Sequence, residues 1–396
     1  ADRNRGVDPA CRIPRGHTVS RAELERIAPG LALGRASGGA LWYDALAGDT
    51  ERLVLELVLD ADAAGAAVAN RLRALGLLRR GGRVEGVSAR DEIGGGDLEI
   101  RARVTINAAG PWLGELQQPL SGGAATAPKL AKAMNIVVGR RIFGDVAVGV
   151  EGGGPQKRLF FFVPWRGGTM IGTQYVEHDG PPGSCAVTAA DLEGMTAAVN
   201  RIHPGAGLAA ADVRFAHVGL LPLDPCADVS AAAEARLLPR PRVIDAAREL
   251  GAEGLIAVLG IKYTTGMTVA ARAIDLACRK LGRAAGSVSQ ARRDQPQRAA
   301  PAAAGVDAEA TRRIDPRQPT TVADVRRAVR EEMALALTDI VLRRTPLGTF
   351  GNPGRDVLEA CALAAGDELE WDAPRRAREI ALMEAEYARL LGGRTS

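Results

Sequence analysis

The sequence predicts an α/β fold, in the sense of an α+β mix, and three observations support this prediction. An apolar strand within residues 104–113 (VTINAAGPWL) runs into small residues and a proline-started helix, and a second strand at 255–259 also leads through a turn into a helix. Residues 128–225 hold short strand-like segments separated by turns, which is typical of an antiparallel sheet. Three helical segments end the chain, at 321–343, 355–365 and 373–392. The 396 residues suffice for two or three domains with sizeable cores.

Capping residues define the first helices. Ser20 stands three residues before Glu23, the spacing of a capping box, so a short helix is predicted to begin there. Asp49 or Thr50 is predicted to cap a longer helix, whose apolar residues lie on one face and which ends at Gly65.

Two strand predictions follow this helix. Residues 66–70 (AAVAN) are predicted to form a short strand. Residues 75–91 are predicted to form a hairpin, because Gly81 and Gly82 make a two-residue turn between apolar runs. The middle of the chain is predicted to be a sheet that a helix at 189–202 interrupts. Its strands are predicted in NIVVGRRIF, DVAVGVE, RLFFFVPW, TMIGTQYV and VRFAHVGLLPL.

The last third of the chain is predicted to be mostly helical. The helix after strand 255–259 is predicted to end at Gly282. Residues 286–320 are rich in Ala, Arg, Gln, Pro and Gly without periodicity, which predicts a linker. Beyond it, Thr321 is predicted to cap the first C-terminal helix and Asp372 the last.

Composition excludes several classes of protein. Of the 51 basic residues 46 are Arg, but charges of both signs are interspersed and aromatic residues make up only 4%, so we expect no nucleic-acid partner. The sequence has no apolar run long enough for a transmembrane helix and does not start with a signal segment. We therefore expect a cytoplasmic protein, and a peripheral position on the inner face of the cytoplasmic membrane stays open.

The cysteines and histidines predict neither a metal site nor a disulfide framework. No two cysteines have CxxC spacing, and the four histidines form no ligand-spaced cluster. The cysteines are expected to act as small apolar residues. They are Cys11, Cys185, Cys226, Cys278 and Cys361.

One segment, GAGLAA at 205–210, is close to a dinucleotide-binding glycine loop. It follows His203 and Pro204 rather than a strand, so the amides of a following helix are not aimed at a pyrophosphate. A loop at the end of a helix is the preferred interpretation.

The end of strand 104–113 is a candidate ligand site. Ala108, Ala109 and Gly110 let a bulky group pass close to the backbone. Open α/β sheets bind ligands at the carboxyl ends of their strands. A plain strand-to-helix turn would use the same residues, and the residues alone do not decide between the two.

The second strand end adds a cation. Gly260 is followed by Lys262, Thr264 and Thr265 and then by a helix, whose first amides can face an anion or an electron-rich ring edge. Lys262 is one of only five lysines in an arginine-rich chain, which favours a function for its ammonium group. A solvated loop lysine beside a threonine cap is the alternative.

The order of these segments resembles a known family. WYDA, a hairpin, VTINAAGPW, RLFFFVPWRGGTMIGT, GLLPLD, LGIKYTTG and a three-helix end follow each other as in the FAD-dependent glycerol-3-phosphate dehydrogenase/oxidase family of D-amino-acid-oxidase-like flavoproteins. The resemblance covers about residues 3–392. Members of that family begin with a βαβ unit carrying GxGxxG, which this sequence lacks, so the resemblance implies an incomplete FAD-binding Rossmann-like domain.

The resemblance also implies a division into domains. A partial FAD-binding domain at 1–125 is followed by a substrate domain with an antiparallel sheet at 126–225. A return segment of the FAD-binding domain at 226–285 then leads through the linker to a C-terminal helical domain at 321–396.

The cofactor implied is FAD, and the resemblance assigns two groups of residues. Arg240 and Lys262 match positions that hold the substrate's anionic end. The residues expected to bind the cofactor are Ala108, Ala109, Gly110, Trp112, Gly260, Lys262, Thr264 and Thr265.

The sequence departs from the family at several polar positions. Leu221 stands where the family has an arginine, Asn135 where it has a histidine, and Ile261 where it has a glycine. Losing a guanidinium group weakens bidentate recognition of phosphate. His217 lies near the position of the missing arginine and is the candidate catalytic proton acceptor; a strand histidine bonded to backbone is the alternative.

The function predicted is hydride transfer from sn-glycerol 3-phosphate to flavin, giving dihydroxyacetone phosphate, with electrons passing to a quinone or oxygen. A flavoenzyme acting on another hydroxy acid or an amine is one alternative. A non-catalytic truncated remnant is another, and a homodimer stays open.

Overall fold

The computed structural model describes residues 4–117, 128–151, 159–225, 236–284 and 309–394. Cys226 and residues 286–308 of the predicted linker lie outside the described residues. The strands are β1 (His17–Ser20), β2 (Gly38–Leu41), β3 (Leu72–Arg80), β4 (Arg83–Asp91), β5 (Asp97–Arg101), β6 (Thr105–Asn107), β7 (Leu130–Val138), β8 (Val148–Glu151), β9 (Leu159–Trp165), β10 (Gly168–His178), β11 (Val213–Pro222), β12 (Arg242–Asp245) and β13 (Leu255–Leu259). The α-helices are α1 (Arg21–Ile27), α2 (Thr50–Ala63), α3 (Leu113–Gln117), α4 (Ala189–Ile202), α5 (Ala246–Glu249), α6 (Gly266–Lys280), α7 (Val322–Arg330), α8 (Leu337–Asp339), α9 (Arg355–Leu369) and α10 (Ala373–Leu390).

A five-stranded antiparallel sheet in the order β11-β7-β10-β9-β8 lies at the centre of the fold. Its strands alternate between two cores, as period-two geometry requires. Met134 and Ile136 of β7 pack with α4 on one face, whereas Val137 packs with the C-terminal helices on the other. The predicted antiparallel sheet is therefore confirmed, and both of its faces are covered.

The helix predicted at 189–202 is confirmed with the same bounds as α4. Thr188 and Asp191 form a reciprocal capping box at its start. The Asp191 carboxylate also pairs with Lys132 of β7 at 2.5 Å, which fixes the helix to the sheet. At the other helix starts Ser20 caps α1, and Asp49 rather than Thr50 caps α2.

A second sheet, in the order β12-β13-β6, joins segments about 150 residues apart in the chain. β12 pairs antiparallel with β13, but β13 and β6 pair in parallel, with Ala257 opposite Asn107. The carboxyl ends of β6 and β13 therefore lie side by side at one edge. The third sheet is the predicted hairpin extended by β5, and Gly81 and Gly82 form its turn with φ of 53° and 78°.

The strand predicted at 66–70 is wrong. These residues are irregular and lead to β3 across the C-terminal helices. The Asn70 amide donates to the Met333 carbonyl at 2.6 Å, and the guanidinium group of Arg71 lies 2.6 Å from the Asp339 carboxylate. Polar contacts with a distant part of the chain thus take the place of a strand ladder.

The prediction of a single helix at 321–343 is also wrong, because these residues form two helices. α7 ends at Arg330, and Met333 then adopts a left-handed backbone with φ of 55°. α8 starts at Leu337, whose amide donates to the buried Glu379 carboxylate at 2.8 Å. The chain continues from α8 as a π-helical turn to Arg344. The buried carboxylate supplies a new helix start, so the chain breaks instead of running on.

The C-terminal helices form one core with a face of the central sheet. Ile314, within the segment predicted as a linker, is buried in this core, and Arg313 bridges to Thr321. The mixed fold with a helical C-terminal region is confirmed, whereas the division into domains stays a prediction.

Among the described residues no helix is long and apolar enough to cross a membrane. These residues also contain no group of three or more His, Cys, Asp or Glu side chains that could hold a metal ion.

Gly348 tests the packing of the helical core. Tyr387 is buried and donates to the Gly348 carbonyl at 3.1 Å, and a Cβ at Gly348 would collide with the Tyr387 hydroxyl and lie 2.6 Å from Val341 Cγ1. Gly348→Ala should lower the free energy of unfolding by about 1–3 kcal/mol, because a packed core resists an added methyl group. Urea unfolding measures this loss.

Gly183→Ala is the matched control. A Cβ at Gly183 meets no atom within 4 Å, so this variant should unfold at the same urea concentration as the parent. Equal midpoints for the two variants would contradict the packing described around Gly348.

Candidate active site

A cavity of about 860 Å³ lies between the central sheet, the ends of β6 and β13, and the C-terminal helices. Asn135 of β7 and His217 of β11 stand opposite each other in the sheet and both line it. Ala108 and Gly110 border it after β6, and Gly260 and Lys262 border it after β13. Both strand ends predicted as a ligand site thus meet at one cavity.

The turn after β6 is held by Asn107, which the sequence analysis did not single out. Its side chain is buried; Oδ1 accepts from the Ala109 amide at 3.1 Å and Nδ2 donates to the Leu113 carbonyl at 3.2 Å. Gly110 takes a φ of 56°, a left-handed conformation that favours glycine. The short polar residue before AAGPW was the sequence signal for this turn.

The turn after β13 presents the start of α6. A single 3-10 turn, Tyr263–Thr265, precedes the helix, and the Thr265 hydroxyl donates to the Lys262 carbonyl at 3.0 Å. No side chain caps the first amides of α6. The Gly266 amide at the start of α6 instead donates to the Tyr263 carbonyl of the preceding turn, so the helix offers an anion the positive end of its dipole rather than free amides.

Glycines keep the backbone around the cavity open. A Cβ added at Gly110, Gly260 or Gly266 would meet no atom within 4 Å. The backbone at both strand ends therefore faces free space that a flat ring system can approach closely.

His217 is the histidine of the cavity, and its side chain is half-buried. Its ring lies edge-on to Phe215 and Trp165, with centroids 4.8 and 6.1 Å away, and it bonds to the backbone of Thr349. Nε2 is buried without a hydrogen-bond partner among the described residues, so Nδ1 makes the bond to Thr349.

Burial lowers the pKa of His217 below its ordinary value of 6.5, although the nearby Glu51 carboxylate acts in the opposite direction. The ring is therefore neutral at neutral pH. With the Nδ1 proton donated to the backbone, Nε2 carries a free lone pair. A neutral imidazole with an unpaired nitrogen is suited to accept a proton.

The structure places the other predicted residues in two groups. Leu221 and Ile261 line the cavity along with Asn135, at the positions where the family resemblance expects polar residues or glycine. Arg240 is exposed in the turn before β12 and does not line the cavity. Its predicted role in holding the substrate's anionic end stays a prediction.

The remaining predicted cofactor residues flank the cavity without lining it. Ala109 and Trp112 belong to the turn after β6, where Trp112 is 47% exposed. Thr264 and Thr265 belong to the turn before α6.

Sequence reasoning missed several charged residues of the lining. Glu51 comes from the first turn of α2, and Arg343 from the π-helical turn after α8. Arg343 is partly held by the Thr338 carbonyl at 3.2 Å. Glu386 and Arg389 of α10 also border the cavity but pair with each other at 2.6 Å. No local pattern marks these positions, because tertiary packing brings them to the cavity.

Lys262 is the most available cation of the cavity. Its side chain is exposed, and its ammonium group has no ion pair or hydrogen bond within the described part of the chain. Such an ammonium group can bind an anion without first breaking another contact.

Comparison with protein families gives two matches. The FAD dependent oxidoreductase family matches residues 5–280, and the C-terminal domain of alpha-glycerophosphate oxidase matches residues 248–376. The resemblance inferred from the sequence is thereby confirmed, and FAD is the cofactor of the matched family.

Individual relatives agree with these matches. The chain is 31% identical over 268 residues to glycerol-3-phosphate dehydrogenase 2 of Mycobacterium tuberculosis, which covers 67% of this chain and 43% of that protein. It is 29% identical over 208 residues to the alpha-glycerophosphate oxidase of Streptococcus pyogenes, covering 52% and 34%. The chain thus spans less than half the length of these curated relatives.

A solved structure shares the fold. The glycerol-3-phosphate dehydrogenase from Bacillus halodurans, crystallised in complex with FAD, superposes with a TM-score of 0.72 at 22% identity. The match covers 95% of this chain and 80% of that one. At this identity the likeness concerns the fold.

The residues present fit the flavin end of FAD. The cavity volume is in the range of about 300–1,000 Å³ usual for small-molecule sites. Two open glycine turns leave room for a planar ring, and the positive end of the α6 dipole with the Lys262 ammonium group can face its electron-rich edge.

Asn107 tests whether the turn after β6 belongs to the cofactor site. Asn107→Ala should weaken binding of added FAD, because the turn loses both bonds that hold its shape. It should also cost about 1–3 kcal/mol of stability, because buried backbone groups lose their partners. A titration followed by flavin fluorescence measures the first effect, and urea unfolding the second.

Asn200→Ala is the matched control. Asn200 makes the same two bonds, to the amide and carbonyl of Leu208, far from the cavity. It should lose stability without losing FAD affinity. Equal FAD affinities for the two variants would separate Asn107 from the cofactor site.

Proposed function

The chain belongs to the family of FAD-dependent oxidoreductases, and we propose that it oxidises a small secondary alcohol bearing an anionic group, with sn-glycerol 3-phosphate as the first candidate. The observation that carries this proposal is one cavity that holds a lysine unpartnered among the described residues, a neutral histidine whose Nε2 is buried, and two open strand ends. FAD, when bound, supplies the acceptor for the hydride that leaves the substrate carbon.

The anionic end of the substrate is held by cations at the cavity rim. The Lys262 ammonium group is the free donor on the β13 side, and Arg343 approaches from the C-terminal helices. Charge-assisted hydrogen bonds from both groups orient the substrate. Arg343 thereby supplies a positive charge that is missing at Leu221, where the family has an arginine.

His217 accepts the hydroxyl proton. The oxidation removes a hydride from the carbon and a proton from its hydroxyl group, which leaves a ketone. Nε2 takes this proton, since it is buried and has no other partner in the described structure. The backbone bond to Thr349 holds the ring in the required tautomer.

A second substrate class is favoured by one observation. Leu221 lines the cavity where the resemblance expects an arginine. The lining contains three cationic side chains, Lys262, Arg343 and Arg389, against the two carboxylates Glu51 and Glu386. This slight positive excess suits a monoanionic hydroxy acid better than a doubly charged phosphate, whereas an amine is favoured only by the absence of the arginine at Leu221.

The electron acceptor is proposed from the relatives. They include proteins named as dehydrogenases and as an oxidase, so a quinone and oxygen are both proposed for this chain. A homodimer and a peripheral position on the membrane are also proposed for this chain.

Reduction of bound flavin tests the function. The full chain mixed with FAD should show protein-bound flavin absorbance, and anaerobic glycerol 3-phosphate should bleach it. Lys262→Gln should raise the substrate concentration needed for half-maximal bleaching at least tenfold, because the free ammonium group is lost. Lys129→Gln is the matched control, since Lys129 is exposed and pairs with Glu177 outside the cavity.

The same assay decides between the substrate classes. Bleaching by 2-hydroxy acids or amines, but not by glycerol 3-phosphate, would replace the first candidate with the second. Bound flavin that no member of the panel reduces would contradict both and favour a non-catalytic chain.

The role proposed for His217 predicts that kcat/KM depends on pH. The base must be neutral to act, so kcat/KM should be constant above pH 6.5 and fall as the pH drops through the lowered pKa of His217. His217→Gln should reduce kcat by about 10²–10⁴-fold and abolish this acidic limb. Steady-state rates between pH 5 and 8 measure both effects.

His178→Gln is the control for this experiment. His178 contacts the Pro181 carbonyl at the surface and does not line the cavity. An acidic limb that survives in His217→Gln would assign the proton to another group.

A further inference from the structure

A second cavity, of about 840 Å³, lies between the start of β11 and the loop at 346–353 of the C-terminal domain. It shares no lining residue with the candidate active site. Its walls are largely apolar, with Val213, Leu347 and Phe350 among them. Nothing in the proposed reaction uses this cavity.

The charged lining of the second cavity is mostly arginine. Four arginines border it against one carboxylate, that of Asp315. Asp315 is itself neutralised, because the Arg317 guanidinium group donates two hydrogen bonds to its carboxylate, at 2.9 and 3.0 Å. Arg166 is likewise paired with the Asp49 carboxylate at 3.3 Å, so the excess of positive charge comes from Arg214 and Arg394.

Two of these arginines are occupied by the protein. Arg394 donates to the carbonyls of Ala210 and Val213, at 2.7 and 3.0 Å. Arg166 donates to the carbonyls of Pro346 and Gly48, at 3.2 and 3.1 Å. These groups fix the walls of the cavity and have a structural explanation.

Arg214 is exposed, and no protein group occupies its donors within the described residues. Its guanidinium group makes no hydrogen bond or ion pair with any residue that the structure describes, and it lies 5.7 Å from the ring centroid of Phe350. A Cβ at Gly139 would collide with Arg214 Nε, so the guanidinium group runs closely across the backbone of a glycine. An arginine thus positioned by its neighbours keeps its donors for a ligand.

We propose that the second cavity binds a small organic anion, with Arg214 as the donor to its carboxylate or phosphate group. Guanidinium groups bind both anions in bidentate geometry. The apolar body of the ligand rests against Phe350, which is only partly buried. The chemical class is therefore an anion with an apolar or aromatic body.

The site adjoins the candidate active site through shared backbone. Arg214 lies three residues before His217 on β11. Thr349, which bonds to His217, immediately precedes Phe350 in the loop. A ligand in the second cavity thus touches the two segments that position His217.

Binding of benzoate and of phenyl phosphate to the full chain without added FAD tests this proposal by isothermal titration calorimetry. At least one probe should bind at one site, and the tighter probe identifies the head group. Arg214→Gln should weaken that binding at least tenfold, because the unpaired guanidinium group is lost. Arg378→Gln should not, since Arg378 is exposed on α10 and outside both cavities.

Two further variants locate the ligand. Ala211→Phe fills part of the second cavity while it keeps every arginine, and it should also weaken binding. Lys262→Gln should leave binding unchanged, because Lys262 lines only the other cavity. Failure of both probes to bind would overturn the proposal. So would unweakened binding to Arg214→Gln and Ala211→Phe, or binding that depends on Lys262.

Discussion

The parallel pairing of β6 with β13 is the contact on which the site depends. Three residue pairs, from Leu255 opposite Thr105 to Ala257 opposite Asn107, join segments about 150 residues apart. Because parallel strands end at the same edge, the turn after Asn107 and the start of α6 become neighbours. Neither turn is a binding site alone: one gives an open backbone, and the other gives the start of a helix and a lysine. The pairing converts two ordinary turns into one cavity wall.

The central sheet supplies the opposite wall, and its alternation decides which chemistry reaches the cavity. Residues of β7 and β11 that point towards α4 are apolar, whereas His217 and Asn135 lie in the wall of the cavity. The C-terminal helices then cover this face, and their packing buries His217. Burial, more than any neighbouring charge, lowers its pKa and keeps the ring neutral. The helical domain thus influences the proposed chemistry through desolvation.

The sequence predicted secondary structure correctly where the interactions that cause it lie between residues close together in the chain. Helix starts at Ser20, Thr321 and Asp372 follow from side chains that accept from amides three residues further along the chain. The errors came from long-range contacts: the strand at 66–70 yields to bonds that Asn70 and Arg71 make with the helical domain. The strand ends of the site could be predicted because glycine and lysine mark them. Charged residues that tertiary packing brings to the cavity have no recognisable sequence pattern. The predicted role of Arg240 rested on the family resemblance alone.

The charges of the cavity bear on the kind of anion it holds. Arg389 is neutralised by Glu386 at 2.6 Å, so it adds little field at the cavity. Lys262 and Arg343 remain, although Arg343 lies 4.0 Å from the Asp339 carboxylate, and Glu51 opposes them from α2. A phosphate ester carries close to two negative charges at neutral pH, and Leu221 offers it no third donor. The cavity therefore balances a singly charged group more fully than a doubly charged one. Binding glycerol 3-phosphate would require Lys262 and Arg343 to contact the phosphate together, whereas a carboxylate is satisfied by either. The identity of the substrate thus turns on how closely these two cations, from opposite sides of the cavity, approach each other when a ligand is bound.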